Sequence, residues 1–439
     1  MVSKDENQKA SKGLVIFEDE VVANFNPLAL LRPVYFLRPG IRNLSERIID
    51  DFENYQPHLF CRPEIAAITA EQTKIPVNRF TLDDPVEIIF VNGRVAWSTE
   101  FGEALKKADG NVILTSGTTI LAFKMIGPLA DQEKHLLQSG ELGGLFVGLA
   151  AKSEEIQLEI PTYNYLWDIV NGIGDEITDD FDFYKKKFPA EGFLSESNPE
   201  DIENAVARGI SFINADQIYI ASDAVLYPGI VLDATDGPIF IGSEVKIEPF
   251  SYIAGPTYIG RKTHVVGGKI TECSLGPECR VGGEVEKTII QGYSNKYHAG
   301  FLGHAYLGEW INLGAMTTNS DLKNNYKPVE VSVNGQLLNT GSLKVGSFIG
   351  DFTKTAIGTL LNTGINIGVS CNIISEGIVT DKEIPSFTWY SPRHKRNYNL
   401  AKALETIERT TVRREVELST AWKDRLTEIS RSAACGTAG

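Results

Sequence analysis

Residues 349–379 read IGDFTKTAIGTLLNTGINIGVSCNIISEGIV, and this stretch decides the fold of the second half of the chain. One residue in every six belongs to a single series, which is aliphatic apart from one threonine: Ile349, Thr355, Leu361, Ile367, Ile373 and Val379. The same spacing occurs earlier, at Ile241, Ile247, Ile253, Ile259 and Val265, at Leu275 and Val281, and at Leu307 and Leu313. A period of six is typical of a coil with three flat faces, in which one side chain per face points inward and stacked coils bury a continuous apolar column.

The repeat predicts a parallel β-helix over residues 213–385, with two interruptions. Residues 269–274 break the phase, and residues 318–345 form a longer insertion. Within the insertion, apolar residues alternate around Asn334-Gly335, a dipeptide that favours the tight turn of a β-hairpin. We therefore expect an arm outside the coil column. Deleting residues 330–339 is expected to change thermal stability little, because loop length costs little.

The first part of the chain has a different pattern. The apolar runs LVIF (14–17), EIIFVNG (87–93) and NVILTSG (111–117) alternate with helical segments. Strands that alternate with helices are typical of an α/β layer with a mostly parallel sheet. We assign residues 13–190 to an α/β domain of this kind.

Helices are predicted on both sides of the repeat. A connector spans residues 191–212, with Asn198 as N-cap of its helix, Pro199 in the first turn and Gly209 at the end. Residues 396–431 show an apolar stripe at helical spacing and predict one C-terminal helix.

Composition narrows the range of functions. A formal net charge of −15 and a pI near 5.0 disfavour nonspecific binding to nucleic acid or to an anionic membrane. The five cysteines form no Cys-x-x-Cys pair, which favours a reducing compartment over a disulfide framework or a zinc site. No apolar run reaches transmembrane length, and the polar start MVSKDENQKASK lacks the apolar core of a signal peptide. The sequence predicts a cytoplasmic protein.

Residues 296–327, KYHAGFLGHAYLGEWINLGAMTTNSDLKNNYK, are the most informative about chemistry. They resemble the acetyltransferase half of the bifunctional glucosamine-1-phosphate acetyltransferases / N-acetylglucosamine-1-phosphate uridylyltransferases. The matching pieces are His298, Leu302-Gly303 and Asn312-Leu313-Gly314-Ala315. GLVIFEDE, LLRPVYFLRPGIRNL and RNYNLAKALE are similar to the bacterial single-chain, GlmU-like sugar nucleotidyltransferases. The resemblance implies a left-handed β-helix, a homotrimer and acetyl-CoA as co-substrate.

By this resemblance, His298 takes the position of the general base that removes a proton from the amine of a sugar phosphate. A histidine near its unperturbed pKa suits that role at neutral pH. His304, on the next coil, is the rival, and either ring could instead cap a coil or pack at a subunit contact. The resemblance also implies residues that bind substrate, with solvated charge or plain turns as the alternative: Arg280, Lys287, Asn319, Asn325 and Tyr326.

The N-terminal site departs from the resembled enzymes. Their Gly-x-Gly-Thr-Arg-Met loop, which cradles nucleotide phosphates, is absent. Arg32, Arg38 and Arg42 follow the first strand instead. They could grip a phosphate bidentately, or they could simply begin a helix.

The metal site of the resembled enzymes is altered here as well. The family's metal-binding aspartate follows a strand that here ends at Asn92-Gly93-Arg94, so an arginine stands where the acid would be. Either Asp83 or Asp84 substitutes, or Mg²⁺ binding is lost, and the metal ligands are unknown from sequence. Asn92 is a candidate nucleotide contact.

Taken together, the resemblance implies a bifunctional enzyme. It would acetylate an amino sugar 1-phosphate, with glucosamine-1-phosphate as the expected acceptor, and transfer a nucleotide from a nucleoside triphosphate to form a nucleotide sugar. The alternative is a sugar-nucleotide-binding regulator or scaffold, which the missing glycine-rich loop and Arg94 favour.

Overall fold

The computed structural model describes residues 11–188, 192, 203 and 206–436. The predicted helix start at Asn198-Pro199 lies outside the described residues, but Gly209 does end a turn, with a φ of 80° and its N–H bonded to the Val206 carbonyl. The chain divides into two compact units, and the first 42 residues alternate between them. The first comprises the chain up to Val22, Leu31–Leu37 and Asn43–Asn164, and the second comprises Ala23–Leu30, Arg38–Arg42 and the chain from Tyr165 onward.

A six-stranded sheet forms the first unit. Its strands are β1 Lys12–Phe17, β2 Gln56–Phe60, β3 Glu87–Asn92, β4 Val112–Ser116, β5 Thr119–Ile126 and β6 Glu154–Gln157. The helices around it are α1 Leu44–Asp51, α2 Pro63–Gln72, α3 Thr99–Lys107, α4 Asp131–Ser139 and α5 Leu142–Ala150. The order is β2-β1-β3-β5-β4-β6, and β1 runs parallel to both of its neighbours. This confirms the α/β class, with β5 antiparallel to β3 and β4.

The second unit begins with α6 Leu166–Asn171 and α7 Ile173–Lys187 and continues as the predicted left-handed parallel β-helix. One face of the helix holds Ile218–Ile220, Ile239–Ile241, Thr257–Ile259, Ser274–Leu275, Ile289–Gly292, Tyr306–Glu309, Ser347–Ile349, Ile365–Ile367 and Glu383–Ile384. A short third sheet holds Thr318–Asn319, Leu360–Leu361 and Ile378–Val379.

The remaining coil strands pair in one large sheet that closes with an antiparallel hairpin. They are Ser211–Ile213, Val225–Leu226, Val231–Asp233, Lys246–Ile247, Ser251–Ala254, His264–Thr271, Arg280–Glu286, Asn295–Lys296, Phe301–Gly303, Asn312–Leu313, Lys354–Thr355, Asn372–Ile373, Thr388–Ser391 and His394–Asn397.

The six-residue repeat marks the inner wall of the coils, as predicted. Ile349 pairs with Ile367, and Leu361 pairs with Val379 in the next coil. All of these side chains are buried and belong to one apolar column that runs through the β-helix. Burying each one stabilises the fold by about 1.5–3 kcal/mol, so the regular spacing alone accounts for a large part of the stability of this unit.

The insertion contains the predicted hairpin, with strands Glu330–Val333 and Gln336–Asn339. Asn334 and Gly335 have φ values of 52° and 79°, as a tight turn between paired strands requires. The expectation that the arm is dispensable is wrong, however. Val331 and Val333 are buried, Ser332 donates to Glu383 at 2.6 Å, and the Asn366 amide donates to the Ser332 carbonyl at 3.0 Å. The first strand of the arm therefore packs on the outside of a coil.

We expect Val331→Ala to lower the free energy of unfolding by about 2 kcal/mol, because it leaves a cavity under the arm. Leu337 lies on the other strand of the same hairpin and is 54% exposed, so Leu337→Ala serves as the matched control and should change little. Urea unfolding of both variants measures the difference. Equal stabilities would show that the arm does not contribute to the fold.

The predicted C-terminal helix is divided in two, α8 Leu400–Val412 and α9 Thr420–Gly436. The buried stripe of α8, which includes Ala403 and Ile407, ends at Thr411. Glu415 then adopts a φ of 59°, which a helix cannot accommodate. The Ser419 hydroxyl accepts a hydrogen bond from the Trp422 amide and starts the second helix, a capping signal that the sequence contained.

Candidate functional site

His298 lies on an exposed turn between the strands Asn295–Lys296 and Phe301–Gly303. Its ring packs edge-on against Tyr297, with 5.1 Å between ring centroids. Its backbone carbonyl accepts a hydrogen bond from the Lys296 ammonium at 2.7 Å. The ring is therefore accessible to a substrate, while the backbone that carries it is fixed from inside the coil.

His304 is in a different environment. It is 7% exposed, and its Nδ1 lies 2.8 Å from the Asp321 carboxylate. Burial alone would raise the pKa of Asp321, but the hydrogen bond and charge of His304, with a contribution from Lys344, hold that pKa below its usual value. A carboxylate that orients a histidine is a common feature of general bases, so the structure gives the rival residue a partner that the sequence did not reveal.

The predicted residues of the Asn-rich loop are used in different ways. Asn319 is buried and completes the backbone pairing of Gly303, accepting from its N–H at 2.9 Å and donating to its carbonyl at 2.8 Å. Asn325 lines a cleft of about 580 Å³. Tyr326 is 70% exposed. The amide of Asn319 thus serves the coil, and Asn325 remains the candidate for contact with a ligand.

The cleft lies on the coils that follow the His298 turn in the chain. Apolar Leu360 and Ile378 line it together with two lysines. The ammonium group of Lys323 pairs with Glu330 at 3.3 Å, and that of Lys382 donates to the Thr363 carbonyl, so a phosphate would share these groups with the protein. Thr318, also in the lining, accepts a hydrogen bond from the Phe301 amide at 3.3 Å. Apolar surface beside two ammonium groups suits a ligand with an aliphatic arm and a phosphate.

Arg280 and Lys287 are both engaged within the β-helix. Arg280 donates to the carbonyls of Lys262 at 3.1 Å and Cys279 at 2.8 Å, and burial lowers its pKa. Lys287 forms an ion pair with Glu272 at 2.6 Å. A phosphate would have to compete with these contacts, so the sequence-based assignment of either residue to substrate stays a prediction.

In the first unit, acidic and basic residues meet at the carboxyl ends of three parallel strands. Glu18 and Asp19 follow β1, Arg62 follows β2, and Arg94 follows β3. Glu18 is buried, pairs with Arg62 at 3.3 Å and accepts a hydrogen bond from the Val34 amide at 2.7 Å; burial raises its pKa. This edge is where ligands bind in open α/β sheets.

Arg94 is the centre of the second pair. It is 2% exposed, and its Nε donates to both oxygens of Asp19 at 2.8 and 3.0 Å. Its other nitrogens donate to the Tyr163 carbonyl, Asn164 and Thr119. Asn92 donates to Asp19 at 2.9 Å, so the residue predicted to contact a nucleotide is held inside the same network.

These residues do not fit a divalent cation. Mg²⁺ requires several oxygen ligands in octahedral geometry, but the carboxylate of Asp19 is already neutralised by a fixed guanidinium. Asp83 and Asp84 cannot substitute, because they precede β3 and therefore lie at the opposite edge of the sheet from Arg94. Among the residues that the structure describes, no group of three or more His, Cys, Asp or Glu side chains is arranged to hold a metal ion.

The three arginines expected to form a phosphate cradle are divided between the two compact units. Arg32 is buried in the first unit. Arg42 belongs to the second unit, where its Nε pairs with Asp180 at 2.9 Å, and Arg38 lies over the Tyr258 ring. A shared role for the three in binding one phosphate stays a prediction.

Sequence reasoning missed several residues of these sites, among them Asp19, Lys296 and Asp321. Asp19 carried a usable signal, since it follows the first buried strand at the edge where ligands bind. Asp321 and Lys296 gave no such signal, because Asp321 meets His304, and Lys296 meets Gly282, only when the coils stack. In the described residues, no helix has the length and hydrophobicity needed to span a bilayer.

Residues 14–188 match the family described as sugar nucleotidyl transferase. A bifunctional sugar-1-phosphate nucleotidylyltransferase/acetyltransferase of Sulfurisphaera tokodaii is 31% identical over 96 residues, which is 22% of this chain and 24% of that protein. The bifunctional protein GlmU of Prochlorococcus marinus is 23% identical over 44% of this chain and 43% of its own length. The same-named protein of Fervidobacterium nodosum is 24% identical over 70% of this chain and 71% of its own. The chain thus spans less than half the length of the first two relatives.

Among solved structures, an Arabidopsis UDP-N-acetylglucosamine acyltransferase is 15% identical, with a TM-score of 0.25, over 52% of this chain and 85% of that one. The N-acyltransferase AntD of Bacillus cereus, solved with dTDP-4-amino-4,6-dideoxyglucose and coenzyme A, is 12% identical, with a TM-score of 0.17, over 51% of this chain and 99% of that one. At such scores the likeness adds no weight to the fold established by the coils.

Proposed function

We propose that this chain is a sugar-phosphate enzyme with two activities. Its residues 14–188 match the sugar nucleotidyl transferase family, and the chain is related at low identity to bifunctional proteins of the GlmU type. The β-helix transfers an acetyl group from acetyl-CoA to the amine of an amino sugar 1-phosphate, with glucosamine-1-phosphate as the first acceptor to test. The N-terminal domain then transfers a nucleotide to the product. The observation that carries the first activity is the accessible His298 on a turn anchored by Lys296 and followed by Phe301, whose amide donates to Thr318 in the lining of the cleft.

Acetyl transfer requires a neutral amine, a base for its proton and donors for the oxyanion. The amine nitrogen attacks the thioester carbonyl and His298 takes the proton from the amine. As the tetrahedral intermediate collapses, the C–S bond breaks and coenzyme A leaves as a thiolate, which receives the proton from the His298 imidazolium. His298 is suited to this because its ring is exposed while its backbone is fixed. Backbone N–H groups of the turn are the available donors for the oxyanion.

The cleft lined by Leu360, Ile378, Lys323 and Lys382 is the proposed place of the acyl donor. Its apolar wall suits the aliphatic arm of acetyl-CoA, and its lysines suit the phosphates. The test is a coupled assay for free thiol with acetyl-CoA and a panel of amino sugar 1-phosphates. Failure to release thiol with every acceptor would rule out the proposed acetyl transfer.

We expect a homotrimer in which each acetyl-transfer site lies between neighbouring β-helices. Leu360 and Ile378 pair on adjacent coils and are 39% and 60% exposed, and nearby Ile357 is 78% exposed. Exposed apolar side chains on one face are typical of a subunit contact. Sedimentation equilibrium at micromolar concentration should give three times the chain mass of 48.3 kDa. A single species at the mass of one chain would contradict the trimer.

The Arg94–Asp19 pair favours a second candidate function for the N-terminal domain, namely binding of a sugar nucleotide without nucleotidyl transfer. The carboxylates of Glu18 and Asp19 at this edge are both paired with arginines, so they are not available to a cation that would neutralise a nucleoside triphosphate. The two candidates are separated by measuring pyrophosphate release from uridine and thymidine triphosphates with N-acetylglucosamine-1-phosphate, in Mg²⁺ and in EDTA. Release that requires Mg²⁺ supports transfer, whereas binding of a nucleotide sugar without any release supports the second candidate.

A further inference from the structure

We propose that Lys296, inside the β-helix, is a positioning residue for acetyl transfer, because it holds the turn that presents His298. This inference rests on the proposed function, and it concerns a residue that does not itself reach the substrate. Lys296 pairs in register with Val281, a fully buried member of the apolar column, so its side chain occupies an inward position. It is 2% exposed.

A lysine in this position requires an explanation, since an ammonium group loses its hydration when it enters an apolar column. The two coils before it use an apolar residue at the matching place, Val265 and Val281. The cost of burial also appears in the pKa of Lys296, which desolvation lowers to about 8. Such a residue persists where its hydrogen bonds serve a specific geometry.

The two hydrogen bonds of the ammonium identify that geometry. Nζ donates to the Gly282 carbonyl at 2.7 Å and to the His298 carbonyl at 2.7 Å. The first anchors the amine to the preceding coil, and the second ties the His298 turn to that anchor. The packing there is tight, since a Cβ on Gly283 would lie 2.9 Å from Nζ and 3.1 Å from the His298 carbonyl oxygen.

The turn has few other fixed points. The Ala299 carbonyl accepts from the Met316 amide at 2.9 Å, and the side chains from Tyr297 to Ala299 are exposed. If the lysine is lost, the His298 ring should sample several positions instead of one. A base displaced by about 1 Å can lose up to about 10²-fold in rate, while binding of acetyl-CoA in the cleft is untouched.

The test compares Lys296→Met with Thr355→Val in the full-length protein. Methionine has nearly the length of lysine and suits an apolar column, so the fold should survive the first change. Thr355 is another buried polar residue on the inner wall of the coils, and its variant controls for altering the column itself. We expect Lys296→Met to lower kcat by about 10- to 100-fold with little change in KM. Thr355→Val should leave both constants unchanged.

A second readout does not depend on activity. Hydrogen exchange of the Phe301 amide, which follows the turn and donates to Thr318 at 3.3 Å, should become faster in Lys296→Met and should not change in Thr355→Val, because only the first loosens the turn. Unchanged exchange in Lys296→Met would overturn the positioning role, and so would faster exchange with an unchanged kcat. If the wild type transfers no acetyl group, the proposed function fails, and faster exchange would still show that Lys296 holds the turn. If Lys296→Met does not fold, Lys296→Leu takes its place, and failure of both would assign the lysine to stability and overturn the proposal.

Discussion

Replacing His298 by alanine should reduce acetyl transfer by about 10²–10⁴-fold while leaving the trimer and the fold intact, because a general base typically contributes that much. The side chain is exposed and makes no buried contact that the fold would lose. Its contribution should therefore appear in kcat, with the KM for acetyl-CoA nearly constant. Initial rates from thiol release, measured on protein of confirmed oligomeric state, provide the measurement.

His304→Ala and Asp321→Asn are the decisive comparisons. If His298 is the base, these two variants should keep most of the wild-type rate once any loss of stability has been allowed for. If instead His298→Ala retains full turnover while His304→Ala and Asp321→Asn lose it together, the base is His304, oriented by the carboxylate 2.8 Å from its Nδ1. The two results exclude each other, so one set of three variants assigns the role.

Arg94→Met should destabilise the N-terminal domain by about 3 kcal/mol or more, because it leaves Asp19 without its counter-ion and removes the donors to Tyr163, Asn164 and Thr119. Lys134→Met is the matched control. It breaks an exposed ion pair with Asp84 at 3.1 Å, and such pairs contribute about 0–1 kcal/mol. Thermal and urea unfolding of the two variants give the comparison.

The Arg94→Met variant also tests whether Arg94 and Asp19 stabilise each other as an ion pair or whether Arg94 only fills space. If Arg94 only occupies space, the double variant Asp19→Asn with Arg94→Met should be no more stable than Arg94→Met alone. If the two side chains form a pair, removing both charges should recover part of the loss, since the remaining cost in the single variant is an uncompensated carboxylate. No recovery would contradict the idea that a fixed guanidinium has replaced a cation here.

The coils could be predicted from sequence because their signal is local and repeated. A side chain at every sixth position must face inward if its neighbours do, so Ile349 to Val379 were placed without knowledge of any long-range contact. The hairpin turn at Asn334-Gly335 was predictable for the same reason. The sequence did not predict that Val331 packs on a coil, because the residues it contacts lie in distant parts of the chain.

The charged sites show more clearly what could not be predicted from sequence. Asp19 and Arg94 meet only because β1 and β3 are neighbours in the sheet, and sequence does not fix strand order. Arg42 was expected to face a phosphate, yet it pairs with Asp180, which lies far along the chain. Lys296 was overlooked because its coil departs from the six-residue spacing, and its register with Val281 becomes visible only in the stacked coils.

The insertion, which in the structure begins after the coil strand Thr318–Asn319 and not at residue 318 as predicted, has a consequence for how the β-helix folds. Along one face each strand pairs with the next coil in the chain, but Leu307 pairs with Ile349 across the whole insertion. Coils of a solenoid touch only their neighbours, so folding can begin in any of them and spread to the next. Spreading past Leu307 must first close a longer loop. The added entropy cost is small, below about 1 kcal/mol, but it comes before any contact is gained. The β-helix should therefore assemble as two blocks that join last where Leu307 pairs with Ile349. Pulsed hydrogen exchange during refolding should show that amides in the strands on either side become protected before the amides that pair the two blocks.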